Sequence, residues 1–296
     1  MAIPTTTDRA NRKPNALYCP TKYTEGDKLS GYMHGVPFAA YKAAGALSKY
    51  DISKFLRKTP YRYFNEEEKP QGKDVLIGMA LRALIFDPLN FDKKYTLLPE
   101  VKDRRQSEYK TAIKALGADC VFVGDEAKGI IGMRDAIMGN DESKAAMESN
   151  AMTQVTGFHK HAETGLLLRT KMDKIVGKEA LIIKPVSSVA EKDISNTMLS
   201  ASYHIEAAMC LDSHKAIAGN ELDCVKFILV EKTFPYQVAI VYLDDISILV
   251  GRDAYTEALN DYKKSLDNPL LINNNTPSFM TSIPDYAMRD YDDMIV

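Results

Sequence analysis

A mixed β-sheet flanked by helices, of the α/β or α+β class, is the fold the sequence predicts. Three observations predict it. Apolar residues recur at helical spacing along most of the first half, as in "DVLIGMALRALIFDP". From residue 151 the period changes to that of strands, giving three β-like runs separated by short turns. A helical stretch, two more strands and a last helix then follow, an order that fits helices packed on a mixed sheet.

Taken in order, residues 1–40 are polar and turn-rich and are expected to form a partly ordered arm. In "LSKYDISKFLRKTPYRYFNEEE" a helix is expected, with Ser53 or Asp51 as N-cap, interrupted near Thr59-Pro60. "DVLIGMALRALIFDP" predicts a longer helix that Asp87-Pro88 stops. "KYTLLPE" reads as a strand leading into a basic helical stretch from about Arg104 to Leu116. "KGIIGMRDAIMGNDESKAAMES" gives one or two helices broken at Gly139-Asn140. The strand runs are "TQVTGFHKH", "GLLLRTKMDKIV" and "ALIIKPV", joined through "AETG" and "GKE". "CVKFILVEK" and "YQVAIVYLD" form a later strand pair around Thr233-Phe-Pro235, and "GRDAYTEALNDYKKSLDN" a closing helix. One domain is expected over 41–270, with 271–296 as a polar acidic tail.

Composition narrows the class. The 296 residues are 45% hydrophobic and 26% charged, ordinary for a globular chain with a sizeable core. No apolar run reaches the roughly 18 residues of a membrane span, and the N-terminus lacks a secretory apolar core. Cys19, Cys120, Cys210 and Cys224 are scattered without CxxC spacing, which reads as reduced thiols in a cytoplasmic protein. The net charge of −2 gives no global argument for a nucleic-acid partner, so any such contact needs a local patch. Two patches qualify. The first runs from Lys49 through Lys54, Arg57 and Lys58 to Arg62, with Lys54, Arg57 and Lys58 on one helix face, and Arg104 and Arg105 lie in a second basic group. Each also fits a merely solvated helix face.

"ALIIKPV" poses the chemical question, because Lys184 near the end of a buried strand is costly without a partner. An acid on one strand, a short hairpin, then acid-x-lysine on the next is the core of the PD-(D/E)xK nuclease site. There, strand carboxylates hold Mg²⁺ through oxygen ligands, and the metal generates the attacking water. Here Lys-Met-Asp173 stands in the first position and Ile182-Ile183-Lys184 in the second.

Motif by motif, residues 45–265 resemble the RecE-type exonuclease VIII family of phage recombination nucleases. "DISKFLRKTPYRYFNE", "IGMALRALIFDP", "TGLLLRTKMD", "SYHIEAA" and "FILVEKTFPYQVAIVYLD" are similar to five of that family's segments, in the same order. The resemblance implies a PD-(D/E)xK fold and a Mg²⁺-dependent 5′→3′ exonuclease on double-stranded DNA ends. Active members resemble ring oligomers, so a homo-oligomer is compatible with it.

The chain departs from the family at the chemistry itself. Arg82 stands for its helix histidine, Gln154 for its first acid, Ile182 for its second strand acid, and Glu206 for the glutamine after Tyr-His. Asp173 and Lys184 are what remains. One carboxylate holds Mg²⁺ poorly, and Arg82 brings a fixed positive charge. The expectation is a remnant site without a cofactor, in which Asp173, with Glu206, balances Lys184 and Arg82. His204 would face the old groove. The leading function is then binding of double-stranded DNA or of a host DNA-repair, recombination or defence protein. The alternatives are an active nuclease drawing acids from Glu163, Glu179 or Glu206, and an inhibitory or structural scaffold that touches no DNA.

Other patterns carry less. His159 and His161 share a strand face but have no third ligand nearby. Ser187-Ser188 lacks a nucleophile elbow. The end, "DYAMRDYDDMIV", is an acidic peptide with apolar last residues, either a partner-recruiting tail or a polar terminus.

Overall fold

The computed structural model describes residues 21–22, 28–67, 72–273 and 280–281. Most of the expected N-terminal arm and the acidic tail from 282 therefore lie outside the described residues. The described chain opens with strands β1 (Thr21–Lys22) and β2 (Gly31–His34) and helix α1 (Phe38–Ala43). The sequence placed residues 31–34 in the arm. They pair antiparallel with a central strand instead, and bury Tyr32 and Met33.

Helix α2 (Lys49–Leu56) starts at Ser48, where a capping box with Asp51 satisfies the first backbone donors. This corrects the expected cap: Asp51 is the third helical residue, and Ser53 is interior. Helix α3 (Pro60–Asn65) begins at Pro60 behind the Thr59 hydroxyl. Helix α4 (Lys73–Phe86) ends at Asp87-Pro88 as its sequence requires. Strand β3 (Thr96–Leu98), helix α5 (Ser107–Leu116) and strand β4 (Val121–Val123) follow, β3 and β4 pairing as a separate parallel ribbon. Helices α6 (Gly124–Gly139) and α7 (Asp141–Glu148) are divided at Asn140, whose side chain caps α7. Then come strands β5 (Met152–Lys160), β6 (Leu167–Val176) and β7 (Glu179–Val186), helices α8 (Glu191–Ser200) and α9 (Tyr203–Ala218), strands β8 (Cys224–Glu231) and β9 (Val238–Val241), and helix α10 (Asp245–Asp267).

Seven strands form the main sheet in the order β1-β2-β5-β6-β7-β8-β9. β7 and β8 run parallel, because the α8–α9 crossover returns the chain to the same edge. Covered on both faces, these two strands read as nearly continuous apolar runs. One face packs on α4 and α6, with Leu81, Ile130 and Met133 against Leu181, Ile183 and Ile228. The other packs on α8 and α9, with Met198, Tyr203 and Ala207 against Ile182, Phe227 and Leu229. Helix α10 closes over α9 and α2 through Tyr255, Leu259, Ile52 and Phe55. Gly251 lets it approach so closely that a Cβ there would lie 2.3 Å from the His204 carbonyl oxygen.

β5 and β6 carry one irregularity. Met172 and Ile175 face the same core layer although three residues apart, as do Met152 and Val155 opposite them. A regular strand turns residues three apart to opposite faces. In β5, Gln154 at φ +50° takes up the difference.

Candidate functional site

Asp173 sits at that irregularity, where the β6–β7 ladder stops. The ladder pairs Val176 with Glu179, Ile175 with Ala180 and Lys174 with Leu181, and goes no further. Beyond it, side chains replace the missing strand bonds. The Ile183 N–H donates to Asp173 Oδ2 at 2.8 Å. The Ile183 carbonyl accepts from the guanidinium of Arg82, which reaches in from α4. Arg82 Nε bridges both Asp173 oxygens at 2.9 and 3.0 Å, and another of its nitrogens donates to the Gly78 carbonyl at 2.9 Å. The Gln154 amide lies 3.4 Å from Asp173 Oδ1. The Asp173 side chain is 2% exposed and that of Arg82 19%.

Lys184 belongs to the other layer. Its ammonium meets both oxygens of Glu206 on α9 at 2.7 and 2.8 Å, and Lys49 on α2 approaches the same carboxylate at 3.5 Å. Both ammoniums also lie over the Tyr203 ring, at 4.9 and 5.1 Å from its centre. Burial pushes the Lys184 ammonium below its ordinary pKa, with Glu206 opposing and Lys49 and Arg82 adding to the shift. For Glu206, burial alone would raise the value, but Lys184 and Lys49 together more than offset it and hold the carboxyl low. The anticipated single cluster is thus two: Asp173 with Arg82, and Glu206 with Lys184 and Lys49.

These residues do not fit a magnesium ion. Asp173 offers one carboxylate, already occupied by a guanidinium and a backbone N–H. Ile182 is 2% exposed within the core and supplies no oxygen. Glu179 is paired with Lys226, and Glu206 with two lysines. Among the described residues, no group of three or more His, Cys, Asp or Glu is arranged to hold a metal. His161 bonds Thr164 at 3.1 Å and packs edge-on to Tyr255.

Beside Lys184 opens a cleft of about 590 Å³, lined by α2, the turn from Ser200 to Tyr203, and Glu66 and Glu67. Lys49, Lys54, Arg57 and Lys58 of the first basic patch line it, with Tyr50, which the charge pattern did not single out. Part of this basic face already has structural work. Arg57 donates to the Ser200 carbonyl at 2.6 Å and the Ser202 hydroxyl at 3.2 Å, and Lys49 to the Ala201 carbonyl at 2.8 Å. Cations at the C-terminal end of α8 are where its dipole favours them. Lys58 pairs with Glu66, and Lys54 lies over the Tyr63 ring at 5.4 Å. The remaining candidates are elsewhere. Arg62 is exposed on α3, Arg104 pairs with Glu126 and Arg105 with Asp103, and none of the three lines the cleft. His204 also stays out of it, its Nδ1 lying 3.5 Å from the Met198 carbonyl oxygen.

A mixed sheet with helices on both faces defines the class of fold. That fold is shared with a solved structure: a "Putative exonuclease" from Eubacterium rectale, at TM-score 0.54 and 13% identity, over 90% of this chain and 99% of that one. The crystal structure of SSO0001 aligns over 74% of this chain and 86% of that one at 17% identity, but its TM-score of 0.26 is too low to bear on the fold. No family model and no curated protein matches the chain. Among the described residues, no helix is long and apolar enough to cross a membrane.

Proposed function

We propose that this is a nuclease-fold protein that does not cut and instead holds a nucleic-acid backbone in the cleft beside Lys184. The observation that carries the reading is the guanidinium of Arg82 seated on Asp173, the acid a metal would need. A permanent cation in that position occupies the carboxylate and repels a second, divalent one a few ångströms away. The cleft itself supports the binding half of the proposal. Lys49, Lys54, Arg57, Lys58 and Lys184 outnumber its carboxylates, and a row of cations is what phosphodiesters require. The resemblance to RecE-type exonucleases and the fold shared with the Eubacterium rectale protein point to the same ligand class.

Incubation with linear duplex DNA and Mg²⁺ or Mn²⁺ tests the first half, and no degradation is expected. Degradation abolished by Lys184→Ala would overturn it in favour of an active exonuclease. A gel shift whose affinity falls steeply with salt is expected for the second half. Failure to bind any nucleic acid would transfer the cleft to a protein partner, such as a host DNA-processing or defence protein.

A further inference from the structure

Resting on that reading, we infer that the cleft takes single-stranded nucleic acid in preference to duplex, with Tyr50 as the platform on which a base stacks. The geometry of α2 carries this. Ile52 and Phe55 are its buried side, whereas Tyr50, Ser53, Lys54 and Arg57 recur at three- and four-residue spacing and all line the cleft. The ridge from Tyr50 to Arg57 spans ~10 Å along the helix. Tyr50 is 71% exposed, an aromatic face open to solvent between cations. The Ser53 hydroxyl in the same wall is buried and has no hydrogen-bond partner among the described residues.

A positively charged groove with an exposed ring is how single strands are held without regard to sequence: cations follow the backbone and bases stack on the ring. Within a duplex both faces of every internal base are covered, so Tyr50 has nothing to stack on away from the ends. The same cleft carries Glu66 and Glu67. A duplex brings two phosphate chains, and one of them would meet these carboxylates. A single strand brings one chain, and its exposed base amino groups can donate to carboxylates.

Fluorescence anisotropy on the full chain decides the matter, with short labelled oligonucleotides of equal length at one fixed ionic strength. The arms are single-stranded DNA, single-stranded RNA and duplex DNA. Either single strand should bind more tightly than duplex, and the DNA and RNA arms identify which polymer is preferred. Tyr50→Ala should weaken single-strand binding about five- to a hundredfold, Tyr50→Phe should retain it, and Glu67→Gln should narrow the gap by strengthening duplex binding. Tyr50 is exposed, so its replacement leaves the fold intact, which a thermal melt verifies. Equal affinity for duplex and single strand, or an unaffected Tyr50→Ala, overturns this inference while leaving nucleic-acid binding in place. No binding in any arm overturns both.

Discussion

Replacing Asp173 by Asn removes the charge that holds Arg82 while keeping the side chain's shape. The carboxylate accepts from Arg82 Nε at 2.9 and 3.0 Å and from the Ile183 N–H at 2.8 Å, in a site where only 2% of its surface reaches water. Breaking one partner of such a buried pair costs about 3–5 kcal/mol. Arg82 is 19% exposed and keeps the Gly78 and Ile183 carbonyls, which places the effect towards the lower end. In a chain of 296 residues, at roughly 2–4 °C per kcal/mol, the melting temperature should fall by roughly 10 °C. Thermal and urea melts followed by circular dichroism measure it. Replacing both partners by apolar residues, Arg82→Met with Asp173→Leu, should recover a large part of the loss, because no unpaired charge remains. A single Asp173→Asn variant within about 1 kcal/mol of the parent, or strict additivity in the double variant, would refute the assignment of this pair as the element closing the sheet.

Two further outcomes follow from the geometry. The Glu206 carboxyl is held below its unfolded value by Lys184 and Lys49, so the stability it contributes is fully present above the ordinary carboxylate range. That stability is lost as pH falls through the folded value. Glu206→Gln should therefore lower the melting temperature at neutral pH and flatten its decline in acid, and an unchanged acid limb would count against the ion cluster. Gly251→Ala should destabilise by about 1–3 kcal/mol, despite alanine's better helix propensity, since its Cβ would meet the His204 carbonyl oxygen at 2.3 Å. A more stable variant in the same melts would mean that α9 and α10 separate freely.

The elements were legible in the sequence wherever period and punctuation agreed. Asp87-Pro88, Gly139-Asn140 and the three strand runs all mark real boundaries. Strand β2 was not, because a four-residue strand inside a polar segment shows no period, and its burial comes from pairing with β5 more than a hundred residues away. The capping residue of α2 was misplaced because Ser48, Asp51 and Ser53 all have capping chemistry, and only the reciprocal bonds of Ser48 and Asp51 decide among them. At the site, residue types foretold that Arg82 and Asp173 would need each other. They did not foretell that Asp173 and Lys184 point to opposite layers, since the irregularity at Asp173 in the β5–β6 pairing leaves no trace in composition. Tyr50 escaped notice because one exposed tyrosine is ordinary until a cleft gathers it with cations.

The bond between Arg82 and Asp173 also joins residues 91 positions apart, one on a helix of the first half and one in the sheet of the second. A diffusible ion at such a junction would come and go with its supply, and chelation would loosen the strands. A guanidinium carried by α4 is always present at a fixed stoichiometry. The rivet between the two halves of the chain is therefore built without any bound ion, and it is set only when α4 docks.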